Sequence, residues 1–200
     1  MSGRGNRLRR AVMLYRRREF AKALEAAVER RRSGTLGFAE QVERGFIVAE
    51  SPDGPARARI AFEEAMADAR NGWQLPLPLI LLLLGKPEEA RQAFQQVPRE
   101  DVLPWQDGWW LKLLDYGCGR ITAEALLQAA GQDRSKISDA HFLIGMWRLS
   151  EGTRSAARDH FQKCAATRVF ASCHWPWARA FLKRLEEDST WPKWILLLKK

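Results

Sequence analysis

Five alanines recur at nearly constant intervals along this chain, and they constrain its fold more than any other feature. They are Ala23, Ala58, Ala90, Ala125 and Ala157, and the intervals between them are 35, 32, 35 and 32 residues. Four positions after three of these alanines comes a phenylalanine: Phe62, Phe94 and Phe161. Residues four apart share one face of a helix. The pattern therefore predicts a series of stacked helical units, because a period in this range is typical of repeat proteins.

Glycine and proline residues between the repeated segments indicate where the helices begin and end. Pro55 and Pro87 suit the first turn of a helix, where no backbone N–H is needed. Gly131 and Gly152 suit the position just beyond a helix C-terminus. The sequence predicts five helical hairpins. Their first helices are expected near residues 6–17, 37–50, 73–84, 105–117 and 138–150, and their second helices near 19–32, 55–70, 87–97, 121–131 and 153–167.

The repeat resembles the tetratricopeptide repeat (TPR), a helix–turn–helix unit of about 34 residues, in a degenerate, bacterial-type form. The resemblance covers roughly residues 5–167. Beyond the alanines it rests on Trp109 and Tyr116, and on the small residues Ala11 and Gly145 at a position that is usually small. It implies an all-α fold, an α-solenoid of about five TPR-like repeats. In such a solenoid the first helix of each repeat lines a concave groove.

The remaining segments flank or interrupt these repeats. Residues 1–18 form a basic N-terminal segment that leads into the first helix, and residues 97–104 are a candidate hinge between the third and fourth repeats. Residues 170–188 are predicted to form a capping helix, because a terminal unit needs a polar outer face. Residues 189–200 form an apolar tail with a basic end. Two alternatives stay open for this tail: it folds back over the last repeat, or it makes weak contact with a membrane surface or with a partner.

The TPR resemblance implies which side chains face the groove, and most of them are apolar. They are Leu75, Leu79, Leu82, Leu83, Trp110, Leu114, Phe142, Met146 and Leu149. Such a groove suits an apolar helix or an extended segment of another protein. The first hypothesis is therefore a protein–protein interaction scaffold or adaptor with a protein or peptide partner. The alternative is that these side chains pack in a core that the chain covers itself, since leucine stripes are usually core.

The formal net charge of +9 is concentrated near the N-terminus. Residues 1–32 contain 11 basic and 3 acidic side chains, whereas residues 33–200 contain 22 basic and 21 acidic ones. The second hypothesis is a nucleic-acid or other polyanion-binding accessory protein. Its contacts would be Arg7, Arg9, Arg10, Arg16, Arg17 and Arg18. Base stacking is poorly provided for, because only Tyr15 and Phe20 lie near these arginines in the sequence.

The sequence contains few features that would indicate a catalytic or metal-binding site. It contains no nucleophile elbow, phosphate-binding loop or metalloprotease motif, so we expect no enzyme activity and no cofactor. The nearest approach to a zinc site is the group His160, Cys164, Cys173 and His174, but its spacing is not that of a known ligand set, and we expect no metal.

The location of the protein is predicted from its apolar segments and its cysteines. The longest apolar run, Leu75 to Leu84, has ten residues with two prolines and is too short to span a bilayer. The first residues lack the apolar segment of a secretory signal. The three cysteines are unpatterned, as in reduced intracellular proteins. Together these features predict a cytoplasmic protein.

Overall fold

The computed structural model describes residues 4–28, 38–50, 76–102, 106–170, 172, 174–193 and 195. These ranges are largely helical and contain no strand, which confirms the all-α prediction. The helices are α1 (Arg4–Arg16), α2 (Phe20–Val28), α3 (Phe38–Ala49), α4 (Pro76–Leu83), α5 (Pro87–Gln95), α6 (Arg99–Val102), α7 (Trp109–Gly117), α8 (Ala123–Ala130), α9 (Arg134–Ser150), α10 (Arg154–Ala166) and α11 (His174–Glu187). Consecutive helices pack against each other as hairpins. The predicted helix at 55–70 lies outside the described residues.

The predicted helix starts agree with the structure at Pro87, which occupies the first turn of α5. Among the starts that differ is that of α9. Helix α9 begins at Arg134, several residues before the expected 138, because Asp133 caps it. The Asp133 carboxylate accepts hydrogen bonds from the backbone N–H groups of Ser135 and Lys136, at 2.8 and 3.2 Å. An aspartate in this position satisfies N–H groups that have no partner within the helix.

Four of the predicted first helices end in one backbone motif. Helices α4, α7 and α9 are followed by Gly85, Gly119 and Gly152, whose φ angles are 73°, 75° and 75°. In each case the N–H of the glycine and the N–H of the next residue bond back to carbonyls of the last turn, as in a Schellman motif. Helix α1 ends in the same way, but Arg18, at φ 61°, takes the place of the glycine.

Three of the five repeated alanines, Ala23, Ala90 and Ala157, are fully buried. Ala125 is partly exposed, and Ala58 lies outside the described residues. Two of the repeated phenylalanine rings cover glycines, Phe94 one in the following hairpin and Phe161 one in its own. A Cβ atom added to Gly117 would lie 2.5 Å from Phe94, and one added to Gly145 would lie 2.7 Å from Phe161. Because side-chain atoms cannot approach that closely, glycine is required for this packing.

The last helix closes the molecule by packing against the first. Helix α11 contacts α10, as a cap would, and it also contacts α1 and α9. The fully buried Phe181 ring of α11 lies at the centre of an aromatic cluster, with centroid distances of 5.2 Å to Phe46 and 5.6 Å to Phe161. Trp177 lies 5.0 Å from both Tyr15 and Phe46. The aromatic face of α11 therefore completes the hydrophobic core.

A buried carboxylate joins α11 to three other parts of the chain. Glu50, just after α3, accepts hydrogen bonds from the Tyr15 hydroxyl at 2.6 Å and from Trp191 Nε1 at 2.7 Å. Its second oxygen accepts a hydrogen bond from Arg184 Nη2 at 2.9 Å. Burial, followed by the charge of Glu50, raises the pKa of Tyr15 well above its usual value, so the phenol remains a donor. This network fixes the end of α1 relative to α11.

Two of the connecting segments also pack onto the core. Within residues 97–104, the candidate hinge, Val97 and Val102 are each 4% exposed. In the tail, Trp191 and Ile195 are buried, and Ile195 lies against the turn at Gly85. The described part of the tail therefore folds back onto the protein. Across the described ranges, no helix combines the length and the apolar character that crossing a membrane requires.

Candidate anion-binding surface

The residues predicted to line a partner groove lie mostly inside the core. Seven of them are no more than 6% exposed: Leu79, Leu82, Leu83, Leu114, Phe142, Met146 and Leu149. Trp110 is partly exposed, and Leu75 lies outside the described residues. Helix α11 covers one of them, since Phe142 packs against Phe181 and His174 of that helix at centroid distances of 6.2 and 4.8 Å. A partner would therefore reach Phe142 only by displacing α11.

A small cavity remains beside the partly exposed Trp110. Its volume is about 30 Å³. The residues that line it are Leu79, Phe94, Trp110, Leu113, Asp139, Phe142, Leu143 and His174. Asp139 is bonded through one oxygen to His174 Nδ1 at 2.6 Å and accepts a hydrogen bond on the other from Trp109 Nε1 at 3.1 Å. The cavity has room for about one water molecule. We therefore interpret the hydrogen-bonded group of Asp139, His174 and Trp109 as a structural link between α7, α9 and α11.

A larger and more open cavity lies between the end of α1 and α11. Its volume is about 320 Å³, and the described residues that line it are Arg16, Arg17, Arg18, Lys183 and Glu187. We call these five residues the cationic pocket. Glu187 is paired with Arg18 at 3.1 Å and with Lys183 at 3.4 Å. Four cationic side chains facing one carboxylate leave a surplus of positive charge at this point.

Arg16 is held in an unfavourable environment for a cation. It follows Tyr15, whose burial fixes the last turn of α1. Its Nε atom is buried without a hydrogen-bond partner among the described residues. Burial, together with the nearby charge of Arg179, lowers the pKa of Arg16. The group still remains charged, since arginine titrates far above neutral pH. A bound anion would offset both effects.

The other arginines of the predicted polyanion set are only partly described. Arg10 is exposed on α1, as are Arg17 and Arg18 beyond its end. Arg7 and Arg9 belong to α1, but their side chains lie outside the described atoms. The structure therefore places three of the six predicted contacts, Arg16 to Arg18, at one cavity.

Aromatic side chains from the C-terminal part of the chain extend this surface. The Phe170 ring is 59% exposed and lies edge-on to Trp175, with centroids 4.8 Å apart. The guanidinium of Arg179 lies 4.8 Å above the Trp175 ring, and Trp175 Nε1 donates to the carbonyl of Ala165 at 2.9 Å. We call Phe170 and Trp175 the aromatic platform. Trp175, Arg179 and Lys183 follow at intervals of four, so they form one stripe along α11.

Sequence reasoning missed this platform because it considered only aromatics close to the arginines in the chain. Both of those are used for packing. Tyr15 is fully buried, and the Phe20 ring lies beneath Arg184, whose guanidinium is 5.5 Å from the ring centroid. The spacing of Trp175, Arg179 and Lys183 predicts a shared helix face. That spacing does not predict the contact with α1, which depends on the tertiary fold.

The residues of the candidate zinc group have other partners. His160 Nδ1 lies 3.0 Å from His141 Nδ1, and Cys164 Sγ lies 3.3 Å from the Ser138 hydroxyl. His174 is bonded to Asp139, and Cys173 lies outside the described residues. In the part of the chain that the structure describes, no three histidine, cysteine or acidic side chains converge as metal ligands would.

Comparison with known proteins provides no further guide. No family model matches the chain, and no curated protein is similar to it in sequence. The TPR resemblance therefore stays a prediction from the repeat. The assignment of function has to rest on the surfaces described above.

Proposed function

We propose that this protein binds anionic polymers and that the cationic pocket is its contact site. The observation that supports this proposal best is the meeting of Arg16, Arg17 and Arg18 with Lys183 at one open cavity. Clustered cations attract a polyanion and release its condensed counterions, and this release supplies most of the affinity in nonspecific nucleic-acid binding. Arginine also forms paired hydrogen bonds with a phosphate group.

The backbone of Arg18 supports a role beyond that of a solvated helix end. In the three equivalent turns glycine provides the positive φ, whereas here an arginine adopts it at φ 61°. A left-handed conformation costs a residue with a side chain about 1–2 kcal/mol. Strain of this kind is concentrated at functional sites. The turn directs three consecutive arginines to the end of α1, and two of them, Arg17 and Arg18, are exposed.

The proposal is tested with polyanions that contain no bases. Binding of heparin and of inorganic polyphosphate to the full chain is measured at about 50 mM and about 200 mM salt. We expect the affinity to fall steeply with salt, and the double variant Arg17→Ser/Lys183→Ser to weaken binding and flatten the salt dependence. The matched control is Arg158→Ser/Lys163→Ser, which removes two exposed charges from α10. Absence of binding at the lower salt concentration would overturn the proposal.

A second candidate function is the protein-interaction scaffold predicted from the repeat. The observation in its favour is the partly exposed Trp110 beside the cavity of about 30 Å³, since tryptophan is frequent in interface hot spots. Capture of partners from native cells would compare the wild type with Trp110→Glu. A protein retained at high salt by the wild type alone would support a scaffold. Leu79→Glu is unsuitable, because Leu79 is buried and the variant would unfold the core.

A further inference from the structure

We infer that the polymer is a single-stranded nucleic acid, with its phosphates in the cationic pocket and its bases stacked on the aromatic platform. This inference rests on the proposed function and specifies its ligand. Proteins that bind single strands without sequence preference combine these two elements, a basic surface along the backbone and aromatic rings for the bases.

Phe170 is exposed and at the same time in contact with a neighbouring ring. Among the described residues, Phe170 and Met13 are the large hydrophobic side chains classed as exposed. The Phe170 ring is held against Trp175 by an edge-on contact, and the hydrogen bond from Trp175 to Ala165 fixes the indole in turn. An exposed ring that already has a neighbouring contact can present a π face to a ligand at a lower cost in side-chain entropy than a ring without one.

Arg179 connects the two elements of the surface. It lies over the Trp175 ring, and it precedes Lys183 of the cationic pocket by one helical turn. It therefore joins the aromatic platform to the cationic pocket. From Trp175 to Lys183 the helix rises about 12 Å. At roughly 3.4 Å per nucleotide of a stacked strand, this distance corresponds to about three or four nucleotides.

The chemistry of the surface selects a single strand over other polyanions. Sulfated polysaccharides, polyphosphate and acidic protein segments have no bases to stack, so the cationic pocket would suffice for them. In a duplex the bases are stacked on each other, and a side chain on an outer surface reaches only backbone and groove edges. Unpaired bases are the ligand feature that gives Phe170 a function.

The experiment uses two single-stranded DNA probes of equal length on the full chain, oligothymidine and an abasic strand with the same number of phosphates. We expect Phe170→Ala to lower the affinity for oligothymidine by about tenfold at fixed salt. Affinity for the abasic strand and the salt slope should remain unchanged. Phe170→Trp should retain binding. Met13→Ala is the control for the loss of exposed apolar area, because it truncates the other exposed large apolar side chain, which belongs neither to the aromatic platform nor to the residues that line the cationic pocket.

The outcomes separate this inference from the proposed function. Equal affinity of the wild type for the two strands, with no effect of Phe170→Ala, would overturn base stacking while polyanion binding stands. Equal or tighter binding of a duplex of the same length would also overturn it. Failure of heparin, polyphosphate and both strands to bind would overturn both proposals. The double variant Arg17→Ser/Lys183→Ser should lower the affinity for both strands by the same factor, since it removes phosphate contacts only.

Discussion

Arg184 of α11 and Glu50 after α3 form an ion pair of 2.9 Å inside the protein, although 134 residues separate them in the chain. Their side chains are only 9% and 4% exposed. The same carboxylate accepts hydrogen bonds from Tyr15 and Trp191. A charge in such surroundings is tolerated only while its partners are present. The stability of the whole closed arrangement therefore depends on this contact.

Replacing Arg184 by methionine should lower the free energy of unfolding by about 3–5 kcal/mol, because a buried carboxylate is left without its counter-charge. Urea unfolding monitored by circular dichroism measures the change. The control is Glu186→Gln, since the Arg158–Glu186 pair is 3.6 Å apart and about half exposed. That pair should contribute less than about 1 kcal/mol. A similar effect of both variants would contradict the assigned role of Arg184.

Replacing Arg18 by glycine should separate stability from binding. Glycine adopts φ 61° without strain, so the variant should be as stable as the wild type or more stable by up to about 1 kcal/mol. Its affinity for heparin and oligothymidine should nevertheless fall. The reverse change is Gly119→Ala, in the equivalent turn at φ 75°, which should lose about 1 kcal/mol or more of stability. Arg18→Gly also removes the exposed pair with Glu187, which contributes at most about 1 kcal/mol. A larger destabilisation would show that the backbone of Arg18 is not strained.

Replacing Ala157 by leucine tests the repeat register. Ala157 is fully buried where α10 crosses its neighbours, so a larger side chain should overpack the crossing and cost about 1–3 kcal/mol. Ala129→Leu, at an exposed position of α8, should leave stability nearly unchanged. The melting temperatures of the two variants provide the comparison. An unchanged melting temperature for Ala157→Leu would place the crossing elsewhere.

The pair His141 and His160 should make stability depend on pH. Burial, then the charges of His160 and Lys163, lowers the pKa of His141 to about 4, and burial with Lys163 and Arg148 lowers that of His160. In the unfolded chain histidine titrates near pH 6.5. As the pH falls from about 6.5 towards 4, the unfolded chain therefore binds protons that the folded protein does not, and stability falls.

The variant His141→Asn should flatten this dependence. Urea unfolding at pH values between about 7 and 5 measures it, in a range where few carboxylates titrate. Above about pH 7 the wild type and the variant should show the same slope, which provides the control. Parallel curves over the whole range would indicate that the pair does not contribute.

The sequence predicts the local structure well, because local structure depends on local chemistry. The glycines at 131 and 152 mark helix ends, Pro87 marks a helix start, and three of the five repeated alanines are fully buried. The place of α11 could not be predicted in the same way. Its periodicity shows that Trp177 and Phe181 share a buried face, but that face could pack against many other apolar surfaces equally well.

Half of the candidate site could be predicted from the sequence. The charge distribution predicted a set of contacts that includes Arg16 to Arg18, since eleven of the basic residues fall within residues 1–32. The other half of the site, Lys183 with the stripe from Trp175, comes from the opposite end of the chain. It reaches the arginines only because the aromatic core brings α11 against α1. Long-range packing of this kind leaves no pattern in the spacing of residues.

The packing of α11 against both α1 and α10 has a consequence for how the protein can change in size. An open solenoid can gain or lose a repeat at low cost, because each unit contacts only its neighbours. In this chain an inserted hairpin would move α1 away from α11, which would separate Tyr15 from Trp177 and Glu50 from Arg184. The contacts of the last helix therefore limit the number of hairpins, and a duplicated hairpin would have to be matched by a new closing helix.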